Sequence, residues 1–218
     1  MSMMSYNINM KHHEKVYSTI GGVTSFYDFL LSVTGYKKSV NYFISQLPFN
    51  NNDTIKVLDA GCGTGVYSLD ILNKYKQAKV TAFDLNEKLV KHLKEKVLKN
   101  KLEDRVRLFT ADIQGPLLEI ENEKFNLIIT AGVLEYVKQD EVVKNLSSFL
   151  ISGGYFMNSS VRDTVWGRFV CKLYACKPYS KSQNISVFEQ NGFSIEKIIK
   201  VSKTPSASFK EVHIFKKK

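Results

Sequence analysis

Three acids and a run of alternating glycines carry the binding chemistry of this sequence. The stretch Val57-Leu58-Asp59-Ala60-Gly61-Cys62-Gly63-Thr64-Gly65 ends an apolar run in a carboxylate and then places glycine at every second position. Glycine permits positive φ, and without a Cβ it lets a ligand lie against the backbone. A dinucleotide site would need G-x-G-x-x-G, with the next helix starting on a pyrophosphate. Here the spacing is G-x-G-x-G, and a carboxylate before the turn suits a cation better than a diphosphate. Asp84 lies 19 residues past Gly65 at the end of a second apolar run. An acid at that place accepts hydrogen bonds from ribose hydroxyls.

Such groups must be held at the carboxyl ends of strands, where open α/β sheets bind ligands. Ile55, Val57 and Leu58 read as a buried strand, and Tyr67, Leu69, Ile71, Leu72 and Tyr75 as the helix after the turn. Residues 79–83 form a second strand, and Asn86 caps a helix whose core face is Leu89, Val90, Leu93, Val97 and Leu98. A third strand at 105–109 leads into Thr110-Ala111-Asp112-Ile113 and an acidic loop at 114–123. The fourth, 125–130, is nearly all apolar, as a strand buried on both faces should be. A helix at 141–150 stops at Ser152-Gly153-Gly154, before a fifth strand at 155–158. Val161, Val165, Trp166, Phe169, Val170, Leu173 and Tyr174 make one apolar face of a helix over 161–176. Ser180-Lys181-Ser182-Gln183 has capping-box form, and strands at 193–201 and 209–215 complete seven.

The nonapeptide around Gly61 closely resembles motif I of class I S-adenosylmethionine (SAM)-dependent methyltransferases, and Asp84 matches that family's second motif. The aromatic preface Tyr17…Tyr27-Asp28…Gly35 is similar to the quinone-biosynthesis branch, the small-molecule type 11/25 group. The resemblance covers about residues 55–215, and the first 50 match only loosely. It implies an α/β fold: a Rossmann-like seven-stranded sheet, mostly parallel with an antiparallel last strand, and helices on both faces. Residues 1–50 would be a helical amino-terminal lid, and 51–218 the methyltransferase domain with a helical insertion at about 160–190.

Carried over residue by residue, the resemblance assigns cofactor contacts to Asp59, Gly61, Cys62, Gly63, Gly65, Asp84, Leu85, Asp112, Ile113 and Ala131, with Tyr17 from the lid. Asp59 would hold the amino-acid end of SAM, and Asp112 the adenine amino group. Tyr27, Trp166, Phe169 and Tyr174 would line the acceptor pocket. The product would be S-adenosylhomocysteine. Thr130-Ala131-Gly132-Val133-Leu134-Glu135-Tyr136 is the segment that, in the family, borders both sulfur and acceptor. It has no Asn/Asp-Pro-Pro-aromatic sequence, no Pro-Cys nucleophile pair and no acid to ligate magnesium, so no metal is expected. The donor is already activated, and a base is needed only when the acceptor must lose a proton. Glu135, Tyr136, His12 and His13 are candidates for that task, and His213 stands in a late strand; a structural role competes for each.

Composition fits one α/β domain with small additions: 218 residues, 44% apolar, and no run of about 18 apolar residues to span a membrane. The amino terminus carries polar and charged residues rather than an apolar signal core. Three cysteines, one inside the glycine turn, argue for a reducing, cytoplasmic setting. The charge of +10 permits contact with nucleic acid, an anionic membrane surface or an acidic substrate. Its lysines are scattered along helices and the Lys216-Lys217-Lys218 tail, without an aromatic-interleaved arginine cluster, which argues against nucleic acid.

Three functions are consistent with these residues: metal-independent O-, N- or C-methylation of a small, partly apolar or aromatic acceptor; an RNA or protein methyltransferase; and a SAM-binding regulator without catalysis. Neither the acceptor nor the oligomeric state can be read from the sequence.

Overall fold

The structure is a computed structural model that describes residues 36–173, 176–200 and 210–218. Its elements alternate in chain order: α1 Tyr36–Ser45, β1 Lys56–Ala60, α2 Val66–Lys74, β2 Lys79–Asp84, α3 Glu87–Lys99, β3 Val106–Thr110, β4 Phe125–Ala131, α4 Gln139–Ser148, β5 Leu150–Val161, α5 Val165–Leu173, α6 Lys181–Gln190, β6 Phe193–Lys200 and β7 Lys210–Lys217. The strands form one seven-stranded sheet in the order β3-β2-β1-β4-β5-β7-β6. β7 runs antiparallel to both β5 and β6, and the other paired neighbours are parallel.

Both faces of the sheet are covered, so neighbouring strand residues go to different cores. Val57, Leu127, Ile129, Met157 and Ile214 pack beneath Ile71 of α2, Tyr75 just past its end and Leu93 of α3. Leu58, Ile128, Phe156 and Phe215 pack beneath Val143 and Leu146 of α4 and Phe188 of α6. The first core also takes in Val40, Phe43, Ile44 and Leu47, so α1, at the end of the segment expected as a lid, is built into the main fold. The Tyr75 hydroxyl donates to the Ile44 carbonyl at 3.1 Å and ties α1 to the end of α2. Tyr17, Tyr27, His12 and His13 lie outside the described residues.

Caps expected from the sequence are present. The Asn86 side chain accepts from the Lys88 amide, and Ser180 and Gln183 form a reciprocal capping box. Three boundaries differ from expectation. β5 runs from Leu150 through Val161 instead of starting at 155, because Ser152-Gly153-Gly154 forms a bulge opposite Phe125 and Leu127 rather than a stop. The helix expected from 161 starts only at Val165, since Val161 still pairs with Lys210 in the sheet. Arg105 falls in a 3-10 turn before β3, where its guanidinium donates to the Ala78, Leu72 and Tyr75 carbonyls and holds the end of α2.

Candidate functional site

The glycine turn is held by the strand beside it. The amides of Gly61 and Cys62 both donate to the Phe83 carbonyl at 2.9 Å, and the Gly63 amide donates to Asp84 Oδ2 at 2.8 Å. Asp84 Oδ1 accepts from the Asn86 amide at 2.9 Å. The ends of β1 and β2 are thereby closed into one cradle. All three glycines have positive φ: +78° at Gly61, +54° at Gly63 and +79° at Gly65. Their surroundings separate their roles. A Cβ on Gly61 would stand 2.5 Å from Val133 Cγ2, and one on Gly65 would run into Leu93. A Cβ on Gly63 would meet nothing within 4 Å among the described residues. Packing requires the outer two glycines, whereas the middle one faces open space.

Two carboxylates at these strand ends, Asp59 and Asp84, have no basic partner among the described residues. Asp59 is 1% exposed, and Oδ2 accepts from the Ser68 hydroxyl of α2 at 2.6 Å. Burial raises its pKa to about 6, with the Asp84 charge adding to the rise and the Ser68 bond opposing it. Burial likewise pushes Asp84 up, against the pull of the Asn86 and Gly63 amides. Desolvated acids of this kind suit a cationic ligand that restores the missing counter-charge.

The cradle continues through Asp112 and β4. The Ala111 amide donates to the Asp84 carbonyl at 3.2 Å, which brings the end of β3 alongside. Asp112 is half-buried and closes an Asx turn, with Oδ1 accepting from Gln114 at 2.9 Å; Ile113 is buried beside it. Leu85 leaves 49% of its surface open, an apolar platform at the end of β2. Ala131 ends β4, and the next amide, Gly132, donates to Ser159 at 2.9 Å.

Beyond β4 the buried side chains become polar. Glu135 is 3% exposed. Its Oε1 accepts from the Val161 amide at 2.6 Å, its carbonyl accepts from Lys177 at 3.0 Å, and Oε2 has no hydrogen-bond partner among the described residues. Burial raises its pKa, against the nearby charge of Lys210. Thr130 donates to Asn158 Oδ1 at 3.1 Å, leaving Asn158 Nδ2 unpartnered among the described residues. His213 is fully buried with Nε2 3.0 Å from Glu211 Oε1, and Lys200 Nζ lies 3.2 Å from Glu211 Oε2. Burial alone would raise Glu211, but His213 and Lys200 outweigh it and hold it at about 2.

Comparison with known proteins places this geometry. A family model described as "Methyltransferase domain" matches residues 57–154. The malonyl-[acyl-carrier protein] O-methyltransferase of Priestia megaterium is 29% identical over 83% of this chain and 64% of its own length. The ribosomal protein L11 methyltransferase of Acetivibrio thermocellus is 37% identical, over 50% of this chain and 32% of its own. A geranyl diphosphate methyltransferase solved in complex with SAM superposes with a TM-score of 0.67 at 16% identity, covering 83% of this chain and 84% of that one. The chain carries a methyltransferase domain over residues 57–154. It spans less than two thirds of the length of the two curated relatives, and the family model stops inside β5.

The fold gathers Asp59, Gly61, Cys62, Gly63, Gly65, Asp84, Asp112 and Ala131 around the ends of four adjacent strands. Tyr136 stands at the same end, in the 3-10 turn Leu134–Tyr136 that follows β4. Trp166 and Phe169 are placed on α5 by their backbone, and Tyr174 lies outside the described residues. Sequence reasoning missed Ser68, which fixes the Asp59 carboxylate, and Val133, which closes on Gly61. It also missed Asn158, although a polar residue after the apolar run Tyr155-Phe156-Met157 was a visible signal.

Proposed function

We propose that this chain transfers the methyl group of SAM, without a metal, to a small, partly apolar or aromatic acceptor and releases S-adenosylhomocysteine. The observation that carries the reading is Gly63: a glycine in the left-handed region, tied to Asp84, with no described residue within 4 Å of where its Cβ would stand. SAM would lie against it, with its ribose on Asp84, its adenine between Leu85 and Asp112, and its cationic amino-acid end toward Asp59. Bound there, SAM supplies a methyl carbon already activated by the sulfonium.

The chain's own residues then align and shield. Gly61, Ala131 and the Gly132–Val133 backbone shape the floor beside the methyl group. Glu135 presents the unpartnered Oε2 on the acceptor side, where it can take a hydrogen bond or a proton from the acceptor. Tyr27, Trp166, Phe169 and Tyr174 would cover the acceptor from the amino-terminal lid and from α5, excluding water. The end of β4 offers Thr130, Ala131 and Gly132, none of them a hard oxygen donor set for magnesium. Three free cysteines fit a reducing, cytoplasmic setting.

A protein or RNA acceptor is the second reading, protein from likeness to the L11 methyltransferase and RNA from a charge of +10. One experiment separates them: methyl-labelled SAM is offered with a fractionated cell extract. Label in the low-molecular-weight fraction supports the proposal. Label confined to protein or RNA supports the second reading, and SAM binding without transfer contradicts both.

A further inference from the structure

Cys171 and Cys176 play no part in the reading above, and they stand together. Cys171 lies in the last turn of α5 and is 1% exposed, whereas Cys176, just past that helix, is half-buried. The Cys176 amide donates to the Cys171 carbonyl at 2.8 Å, which sets the two residues side by side. A disulfide needs Cα atoms about 4.4–6.8 Å apart, a span that residues joined by a direct N–H···O=C bond meet. The remaining cysteine, Cys62, is buried in the glycine turn on another part of the sheet edge.

We propose that Cys171 and Cys176 are an oxidisable pair, a disulfide-forming site for small disulfides of the glutathione class. The bond would pin the end of α5 to the segment that Glu135 holds. That segment is already anchored: the amide of Lys177, the next residue, donates to the Glu135 carbonyl at 3.0 Å. Reduction would return α5 to its hydrogen bonds alone, so oxidation would set how freely the insertion moves over the acceptor side.

The step balances as two exchanges. The Cys176 thiolate, the more open, attacks one sulfur of oxidised glutathione, and one glutathione thiolate leaves. The Cys171 thiolate then attacks the Cys176 sulfur of the mixed disulfide and expels the second glutathione. The protein loses two electrons and two protons; the leaving thiolates take up the protons, and glutathione is reduced. Burial raises both thiols above their ordinary pKa, so thiolate is scarce at neutral pH and the rate climbs with pH. Proximity makes the second exchange intramolecular, which favours ring closure over a lasting mixed disulfide. Disulfides of this transient kind are the ones a reducing compartment tolerates.

The full chain is treated with oxidised glutathione at a pH of about 8.5, near an ordinary thiol pKa, and the remaining thiols are alkylated before tryptic mapping. Lys172 lies between the two cysteines, and Pro178 blocks cleavage after Lys177, so the pair falls on peptides 169–172 and 173–181. The expected result is loss of two hydrogens, a fall from three alkylated cysteines to one, and those two peptides linked. Cys171→Ser should instead stop at a glutathione adduct on Cys176. Three alkylated cysteines in the treated wild type, a stable wild-type adduct, or linkage through Cys62 would overturn the proposal.

Discussion

The Gly63 amide donates to Asp84 Oδ2 across 2.8 Å, so the acid at the end of β2 holds the middle glycine of the turn that follows β1. One residue thereby serves the fold and, on the proposed function, the cofactor: its carboxylate orients the turn and keeps lone pairs for ribose hydroxyls. The arrangement explains why the turn can carry a left-handed residue with no described residue packed against it.

The glycines should respond differently to substitution. Gly63→Asn keeps a residue that tolerates the left-handed region while filling the open space. It is expected to lower SAM affinity at least tenfold with little change in melting temperature. Gly65→Ala should act on the fold, because the added Cβ meets Leu93, with a loss of about 1–3 kcal/mol as in other overpacked cores. Calorimetry and thermal melts on the two variants check the contrast.

Asp59 makes stability and affinity run in opposite directions with pH. Its folded pKa of about 6 lies above the ordinary 3.8. Its contribution to stability is therefore fully present below pH 3.8 and lost as pH rises through about 6. The loss is of order 3 kcal/mol at neutral pH, from about 1.4 kcal/mol per pKa unit. Asp70, also raised to about 6 by burial, adds in the same sense. Glu211, held at about 2, works the other way, and its contribution fades as pH falls through that value. Asp59→Asn should stabilise the fold at pH 7 in denaturant titrations. If Asp59 holds the cationic end of SAM, wild-type affinity should rise between about pH 5 and 7, and the variant should lose that dependence.

How much of this was legible in the sequence depends on how local each feature is. Asp59, the glycine run, Asp84 and the Ala111-Asp112 pair sit at strand ends marked by short apolar runs, so their placement followed from neighbouring residues. The distinction among the glycines did not, because Val133 and Leu93 come from distant elements. The same holds for Arg105, whose carbonyl partners lie at the end of α2 and just before β2. Gly153-Gly154 looked like a stop because glycine marks turns and bulges alike, and the pairing with Phe125 and Leu127 decides between them.

Glu135 can be tested without dismantling its surroundings. Glu135→Gln retains an oxygen for the Val161 amide and should leave the fold and SAM affinity nearly unchanged while reducing acceptor turnover. Glu135→Ala strands that buried amide and should cost about 1–3 kcal/mol in addition. Equal turnover in wild type and Glu135→Gln would assign the carboxylate a purely structural role.

Turnover should survive removal of divalent metal, since the β4 end supplies no carboxylate where magnesium would need hard oxygen donors. Activity abolished by EDTA and restored by magnesium would refute the metal-independent mechanism.

The most direct measurement is calorimetric binding of SAM to the wild type and to Asp84→Ala, with NAD titrated alongside. Micromolar SAM binding is expected in the wild type, clearly weakened in the variant by loss of ribose bonds worth about 1 kcal/mol or more each, and NAD should bind neither. SAM affinity unchanged by the substitution, or a wild-type preference for NAD, would contradict the assignment of the cradle between β1 and β2 to SAM.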